Sequence, residues 1–123
     1  MNQHEFGQNS EVVAAAYLEK LGYRILEKNF RCKEGEIDLI LQDKETIAFI
    51  EVKARRNLNF DHPKCAVTTK KQQTISRVAL YYLNAHQQWN ARIRFDVLTI
   101  LEHPNHHYEF ELIQNAFEFS NRS

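Results

Sequence analysis

The stretch GEIDLILQDKETIAFIEVKAR, from Gly35 to Arg55, decides the fold of this 123-residue chain. It contains two runs rich in Ile, Leu, Phe and Val, Glu36–Gln42 and Thr46–Ala54, separated by the polar segment Asp43–Glu45. Apolar runs of this length with a short polar interruption predict two strands joined by a tight turn. The centre of the fold is therefore expected to be a β-hairpin.

Charged residues lie inside these apolar runs, where a buried hairpin should have none. If the hairpin is symmetric about Lys44 and Glu45, Asp38 faces Glu51, with Cβ atoms about 4.5 to 5.5 Å apart. Lys53 lies two residues beyond Glu51 and shares its face. The alternate residues of the second strand point into the core: Ala48, Ile50, Val52 and Ala54. Two acids and a lysine are therefore expected to converge.

Opposed carboxylates repel each other, and they persist when one takes up a proton or both bind a cation. Carboxylate oxygens suit the hard cations Mg²⁺ and Mn²⁺, and such an ion beside a lysine provides the chemistry of phosphodiester hydrolysis. A simpler interpretation is a solvent-facing strand on which Asp38 and Lys53 form a surface ion pair of little energetic weight. Spacing alone leaves both interpretations open.

The rest of the chain predicts helices and strands that alternate around this hairpin. Helix-period apolar residues and terminal signals predict a first helix that ends before Gly22 and a second that begins at Thr69. The first helix should bury a stripe formed by Phe6, Val13, Ala14, Tyr17, Leu18 and Leu21. The predicted elements are a helix over about 5–21, strands at 23–32, 36–42, 46–54, 93–101 and 108–113, a helix over about 69–86 and a polar loop at 57–64. This order indicates an α/β or α+β sheet covered by helices.

Length and composition limit the class of protein. A chain of 123 residues with 43% hydrophobic content suits a single domain over residues 1–123. We find neither a membrane-length apolar run nor a signal peptide, so we expect a cytoplasmic protein that does not associate with membranes. Cys32 and Cys65 lack metal-site spacing and are interpreted as reduced thiols.

Charge is balanced overall but segregated along the chain. The net charge is zero, whereas nucleic-acid-binding domains are commonly basic. Between Glu34 and Glu51 there are six acidic residues and one lysine, but between Lys53 and Arg77 there are seven basic residues and one acid. The basic segment is compatible with a surface that contacts a polyanion and equally with a solvated loop.

The order Asp38, Glu51-x-Lys53, preceded by a helix that carries a glutamate, resembles the PD-(D/E)xK nuclease superfamily. Four segments are similar, in order, to the YraN family of small bacterial proteins within it: GQNSEVVAAAYLEKLGYRILEKNFRCKEGEIDLI, FIEVKAR, AVTTKKQQTI and RFDVLTI. The resemblance runs from about Phe6 to Phe117. It implies a restriction-endonuclease-like mixed sheet, a three-strand meander with flanking helices, and Mg²⁺- or Mn²⁺-dependent cleavage of DNA.

The resemblance also implies roles for individual residues. Asp38 and Glu51 would be metal ligands, Glu11 of the first helix would lie beside the metal, and Lys53 would orient or activate the attacking water. Gln72 matches the polar residue that some superfamily members place at the site from the second helix. Thr69-x-x-Gln72 is also a capping-box pattern, so a purely structural role for this glutamine remains open.

Four basic residues are candidates for contact with phosphates. Arg55 and Arg56 follow Lys53, and Lys70 and Lys71 lie in the first turn of the second helix, where a bound phosphate would offset an unfavourable cation placement.

Similarity to Holliday-junction resolvases implies branched or structured DNA as substrate and leaves a homodimer open. A non-catalytic nucleic-acid-binding or adaptor module and a hydrolase of RNA or small nucleotides remain as alternatives. In RFDV, Arg94 and Asp96 are interpreted as a structural ion pair.

Overall fold

In the computed structural model, which describes residues 3–55 and 67–120 apart from the side chains of residues 3–9 and 106, the chain forms an α/β fold around a five-stranded mixed sheet. The strands are arranged in the order β1-β2-β3-β4-β5. The elements are α1 (Gln3–Lys20), β1 (Arg24–Cys32), β2 (Gly35–Asp43), β3 (Thr46–Arg55), α2 (Thr69–Ala85), β4 (Arg92–His103), a 3₁₀ turn (Pro104–His106) and β5 (His107–Phe117). This architecture is consistent with a restriction-endonuclease-like fold.

The central hairpin has the predicted register. Its antiparallel ladder begins with Asp43 opposite Thr46 and continues to Leu39 opposite Ile50. The turn contains Lys44 in a left-handed conformation with φ of 57°. Together with β1, which pairs antiparallel with β2, this hairpin confirms the predicted three-strand meander.

The strand that follows α2 pairs in parallel with β3, a relation the sequence pattern did not specify. Each residue of β3 from Thr46 to Arg55 has a partner on β4, and the chain returns through α2. A parallel pair requires such a crossover. Consequently the amino terminus of α2 lies near the carboxyl end of β3, and β5 completes the sheet antiparallel to β4.

The two helices pack on different apolar clusters of the sheet. Ala14 and Leu18 of α1 are buried with Leu39 and Ile50, as predicted. Leu21 was predicted to share this stripe but is 53% exposed. The reason is that α1 ends at Lys20, and the left-handed Gly22 then turns the chain towards β1.

Helix α2 covers the other cluster, where Val78 and Tyr82 pack with Phe49. Gly35 lets the helix approach closely: its φ is 146°, and a Cβ there would lie 2.6 Å from Cγ2 of Thr74. This close contact fixes the helix over the start of β2.

The start of α2 differs from the predicted capping box. The cap is Thr68, whose hydroxyl accepts a hydrogen bond from the backbone N–H of Lys71 at 3.1 Å. The side chain of Gln72 donates to the carbonyl oxygen of Val67 at 2.8 Å instead of accepting a hydrogen bond from the backbone N–H of the cap. The cap is therefore Thr68, which has an extended backbone and lies one residue before the predicted cap, Thr69.

Neither helix in the described part of the chain has the length and apolar run needed to cross a bilayer. Cys32 is a free thiol, whereas Cys65 and the predicted polar loop lie outside the described residues.

Candidate active site

The candidate site lies where β2 and β3 stop pairing, beyond Leu39 and Ile50. The backbone N–H of Val52 donates to Oδ2 of Asp38 at 2.8 Å. The prediction that Asp38 and Glu51 form a directly opposed ladder pair is therefore wrong in this detail. The carboxylate of Asp38 thus accepts a hydrogen bond from the main chain of β3. This bond holds the side chain of Asp38 against β3.

The carboxyl groups of Asp38 and Glu51 nevertheless meet. Burial and the negative charge of Asp38 raise the pKa of Glu51 to about 7, and the two groups share a hydrogen bond in which protonated Glu51 donates to Asp38. Burial also raises the pKa of Asp38, although the N–H of Val52 opposes that shift. The side chain of Glu51 is only 12% exposed. The pair therefore retains a proton near neutral pH unless another cation neutralises it.

Two lysines supply positive charge to this pair. Nζ of Lys71 lies 4.0 Å from Oε2 of Glu51, and its charge acts on both acids. Lys53 also lowers the pKa of Glu51, by a smaller effect. The sequence pattern placed Lys53 beside the acids and indicated Lys71 only as a phosphate contact. The cap at Thr68 places Lys71 in the first turn of α2, near the end of β3. Recognition of this cap in the sequence could therefore have indicated the contact between Lys71 and Glu51.

Glu11 lies within electrostatic reach of the site from α1. Burial raises its pKa, and the charges of Asp38 and Glu36 add to that effect. Among the described side chains, those of residues 10–55, 67–105 and 107–120, however, no three of His, Cys, Asp or Glu are grouped to hold a metal ion. The structure thus brings Glu11 near Asp38 without completing a three-carboxylate ligand set, and its role as a ligand stays a prediction.

Of the other four predicted site residues, the structure describes three, which lie at the end of β3 and at the start of α2. Lys70 is exposed in the first turn of α2, and Arg55 is exposed at the end of β3. Arg56 falls outside the described residues. Gln72 is half-buried and bonded to Val67, which gives it a structural contact at the start of α2.

The chemistry of the donor set fits a hard divalent cation. Asp38 and Glu51 offer carboxylate oxygens, and burial raises the pKa of both, so their ionised forms are costly without a nearby cation. Mg²⁺ typically binds through one or two carboxylates, with waters and substrate phosphates as its remaining ligands. Two protein carboxylates without a third are therefore compatible with a Mg²⁺ or Mn²⁺ site.

A second acidic cluster has a different arrangement. Asp96 is fully buried, and Nε of Arg94 donates to its two carboxylate oxygens at 3.0 and 2.9 Å. The backbone N–H of Asn115 donates to the same carboxylate at 3.0 Å, while Nη1 of Arg94 binds Asp43 at 3.0 Å. The predicted ion pair between Arg94 and Asp96 is present, and Asp43 is a further partner that the sequence did not reveal.

A mixed five-stranded sheet flanked by helices, with acids at the open end of its central hairpin, defines a restriction-endonuclease-like α/β protein. The model of the uncharacterised protein family UPF0102, which is the YraN family, matches residues 10–100. The chain belongs to that family.

Full-length relatives carry the same family description. A UPF0102 protein of Caldicellulosiruptor saccharolyticus is 43% identical over 118 residues, which cover 95% of this chain and 100% of the relative. A UPF0102 protein of Syntrophus aciditrophicus is 46% identical over 114 residues, covering 93% of this chain and 89% of the relative. The match therefore extends over the whole hairpin and both helices.

Proposed function

We propose that this protein is a metal-dependent endonuclease that hydrolyses phosphodiester bonds in DNA. The observation that supports this most is the contact between the carboxyl groups of Asp38 and Glu51, which are mostly buried and lack an arginine partner among the described residues. Burying two acids together is costly unless a bound ligand compensates. A site that binds Mg²⁺ or Mn²⁺ explains why the fold retains both.

The surrounding residues supply the other parts of such a site. A bound divalent ion would polarise a phosphoryl oxygen and lower the pKa of water. Lys53 orients or activates the attacking water and stabilises the negative charge that develops on the phosphate. Exposed Arg55 and Lys70 are candidates for contact with the DNA backbone, since Arg55 ends the strand that carries Glu51 and Lys70 precedes Lys71 in the first turn of α2. Backbone contacts of this type give affinity without sequence preference.

Branched or otherwise structured DNA is the substrate we propose first, because the resemblance extends to resolvase-like nucleases. A resolvase acts on two symmetric strands, and a homodimer would present two sites. The proposal therefore predicts that four-way junctions are cut faster than linear duplexes.

The test is to incubate the purified protein with linear, flapped and four-way DNA in Mg²⁺, Mn²⁺ or EDTA. Wild-type protein should cut in either metal and not in EDTA, and Lys53→Ala should reduce the rate by about 100-fold or more, as losses of charge-stabilising groups commonly do. Lys28→Ala, which removes an exposed lysine of β1, is the matched control and should cut at the wild-type rate. Binding without cleavage in every metal would instead support a non-catalytic adaptor. RNA of the same sequence is included as a further substrate, and its cleavage without cleavage of DNA would reassign the substrate.

A further inference from the structure

We propose that Lys71 is a built-in counter-cation for the acidic pair, which a divalent ion displaces from Glu51 and which then binds a phosphate of the nucleic acid. This inference rests on the proposed metal site but adds an exchange of partners that the family resemblance does not supply. It assigns to Lys71 a positioning role that differs from the role of Lys53.

The first argument is geometric. Nζ of Lys71 lies 4.0 Å from Oε2 of Glu51, the limiting distance for an ion pair. The lysine side chain is 44% exposed, whereas that of Glu51 is 12% exposed. An ammonium that reaches inwards from solvent at this distance neutralises the acid and is still free to leave it.

The second argument concerns which lysine neutralises the pair. Nζ of Lys71 comes within 4.0 Å of Oε2 of Glu51, whereas Lys53 forms no ion pair with Asp38 or Glu51 within that distance. Among the described residues, Lys71 is thus the lysine that contacts the acidic pair.

The third argument is that a lysine in this position is unfavourable unless something compensates it. Cations in the first turn of a helix oppose the helix dipole. The backbone at Lys71 is nevertheless fixed, because its N–H donates to the hydroxyl of Thr68 and the side chain of Gln72 binds Val67. Two anchoring contacts hold the first turn so that this lysine stays within reach of Glu51.

The exchange follows from charge. A divalent ion at Asp38 and Glu51 would repel the nearby ammonium and remove its reason to remain at Glu51. The nearest new source of negative charge is then the phosphate group of a bound nucleic acid. Entry of the ion and capture of the phosphate therefore become coupled through Lys71, and each should favour the other.

The experiment is a calorimetric titration of Mn²⁺ into wild-type protein and into Lys71→Ala, without DNA and above the pKa of Glu51. Removing the competing ammonium should tighten Mn²⁺ binding about fivefold, the upper range for an exposed ion pair. Lys71→Arg keeps the charge and should remain near the wild-type affinity. Lys70→Ala removes the same charge from the adjacent exposed position and should change the affinity by less than about twofold.

A second titration tests the coupling, with Lys53→Ala as the background so that DNA is bound without being cut. A DNA duplex should tighten Mn²⁺ binding in this background, and adding Lys71→Ala should remove most of that gain. Unchanged or weaker Mn²⁺ binding by Lys71→Ala, or an equal gain from Lys70→Ala, would overturn the inference while leaving the proposed nuclease intact. Absence of Mn²⁺ binding in every protein would overturn both.

Discussion

A buried acid and a buried acidic pair in this fold differ in how their charge is compensated. Asp96 is fully buried and receives hydrogen bonds from Arg94 and from the backbone of Asn115. Asp38 and Glu51 are also mostly buried, but their carboxyl groups meet, and burial raises the pKa of each. Asp96 has its counter-charge in Arg94. For Asp38 and Glu51 we propose a metal ion from solution as the counter-charge.

The difference separates a buried acid held by structure from a buried acidic pair at which we propose that a metal ion binds. Arg94 is a planar, permanently charged donor and forms a fixed arrangement with its acids at 2.9 to 3.0 Å. Lys71 approaches Glu51 at 4.0 Å with a flexible, partly exposed chain. An arginine fixed as Arg94 is stabilises the fold, but at Glu51 it would prevent a metal ion from entering. A lysine held more loosely, such as Lys71, can be displaced by a metal ion.

The comparison is tested most strongly by removing each cation. Arg94→Met should lower the free energy of unfolding by about 3 to 5 kcal/mol, because it leaves the charge of Asp96 buried without a partner. Lys71→Met should lower it by less than about 1 kcal/mol, because its ion pair is partly exposed. Urea unfolding measures both. Similar losses for the two variants would contradict the distinction between the clusters.

The pH dependence of stability gives a somewhat smaller effect. The pKa of Glu51 is raised from 4.5 to about 7, so the folded protein holds this proton more tightly than the unfolded chain. Its contribution to stability is fully present below about pH 4.5 and is lost as the pH rises through about 7, amounting to about 3 kcal/mol. Unfolding in EDTA across this range should show the loss in wild-type protein. If Glu51→Gln has the same slope, the shifted pKa belongs to another group.

Helix placement over the site is tested by Gly35→Ala, which should cost about 2 kcal/mol. A Cβ at Gly35 would meet Thr74 at 2.6 Å and push the first turns of α2 from β2. Gly22→Ala is the matched control, because Gly22 also has a positive φ but a Cβ added there would meet no atom within 4 Å. Thermal or urea unfolding should show the larger loss for Gly35→Ala. A larger loss for Gly22→Ala would mean that backbone strain, not helix contact, dominates at Gly35.

The smallest expected change in the free energy of unfolding separates the two kinds of site by its sign. Glu51→Gln should stabilise the metal-free protein by about 1 kcal/mol above neutral pH, because it removes repulsion from Asp38. Asp96→Asn should destabilise the protein, because it leaves Arg94 buried without its full counter-charge. Opposite signs in urea unfolding would distinguish a binding site from a structural one. Destabilisation by both substitutions would assign Asp38 and Glu51 to structure.

The sequence predicted the hairpin well because its signals are local. Two apolar runs placed symmetrically about the turn at Lys44 and Glu45 define the register, and the observed ladder follows it as far as Leu39 and Ile50. The departure at Asp38 depends on a hydrogen bond to Val52, which the strand pattern does not encode. Local periodicity thus predicts a ladder but not the place where a side chain replaces it.

Contacts between distant segments were harder to predict for the same reason. Arg94 and Asp96 are two residues apart and were correctly paired, but Asp43 joins them across 51 positions of sequence. Lys71 reaches Glu51 only because the parallel pairing of β3 and β4 returns α2 to that end of the sheet. Sequence spacing does not specify such tertiary relations.

The central claim is that Asp38 and Glu51 together bind a divalent metal ion. Its most direct test is an anomalous difference map from crystals of the protein grown or soaked in Mn²⁺, with Asp38→Asn crystals treated identically. The account predicts a peak in contact with both carboxylates in the wild-type protein and its loss in the variant. A wild-type map without a peak at these carboxylates, while the two carboxyl groups still contact each other, would contradict the account.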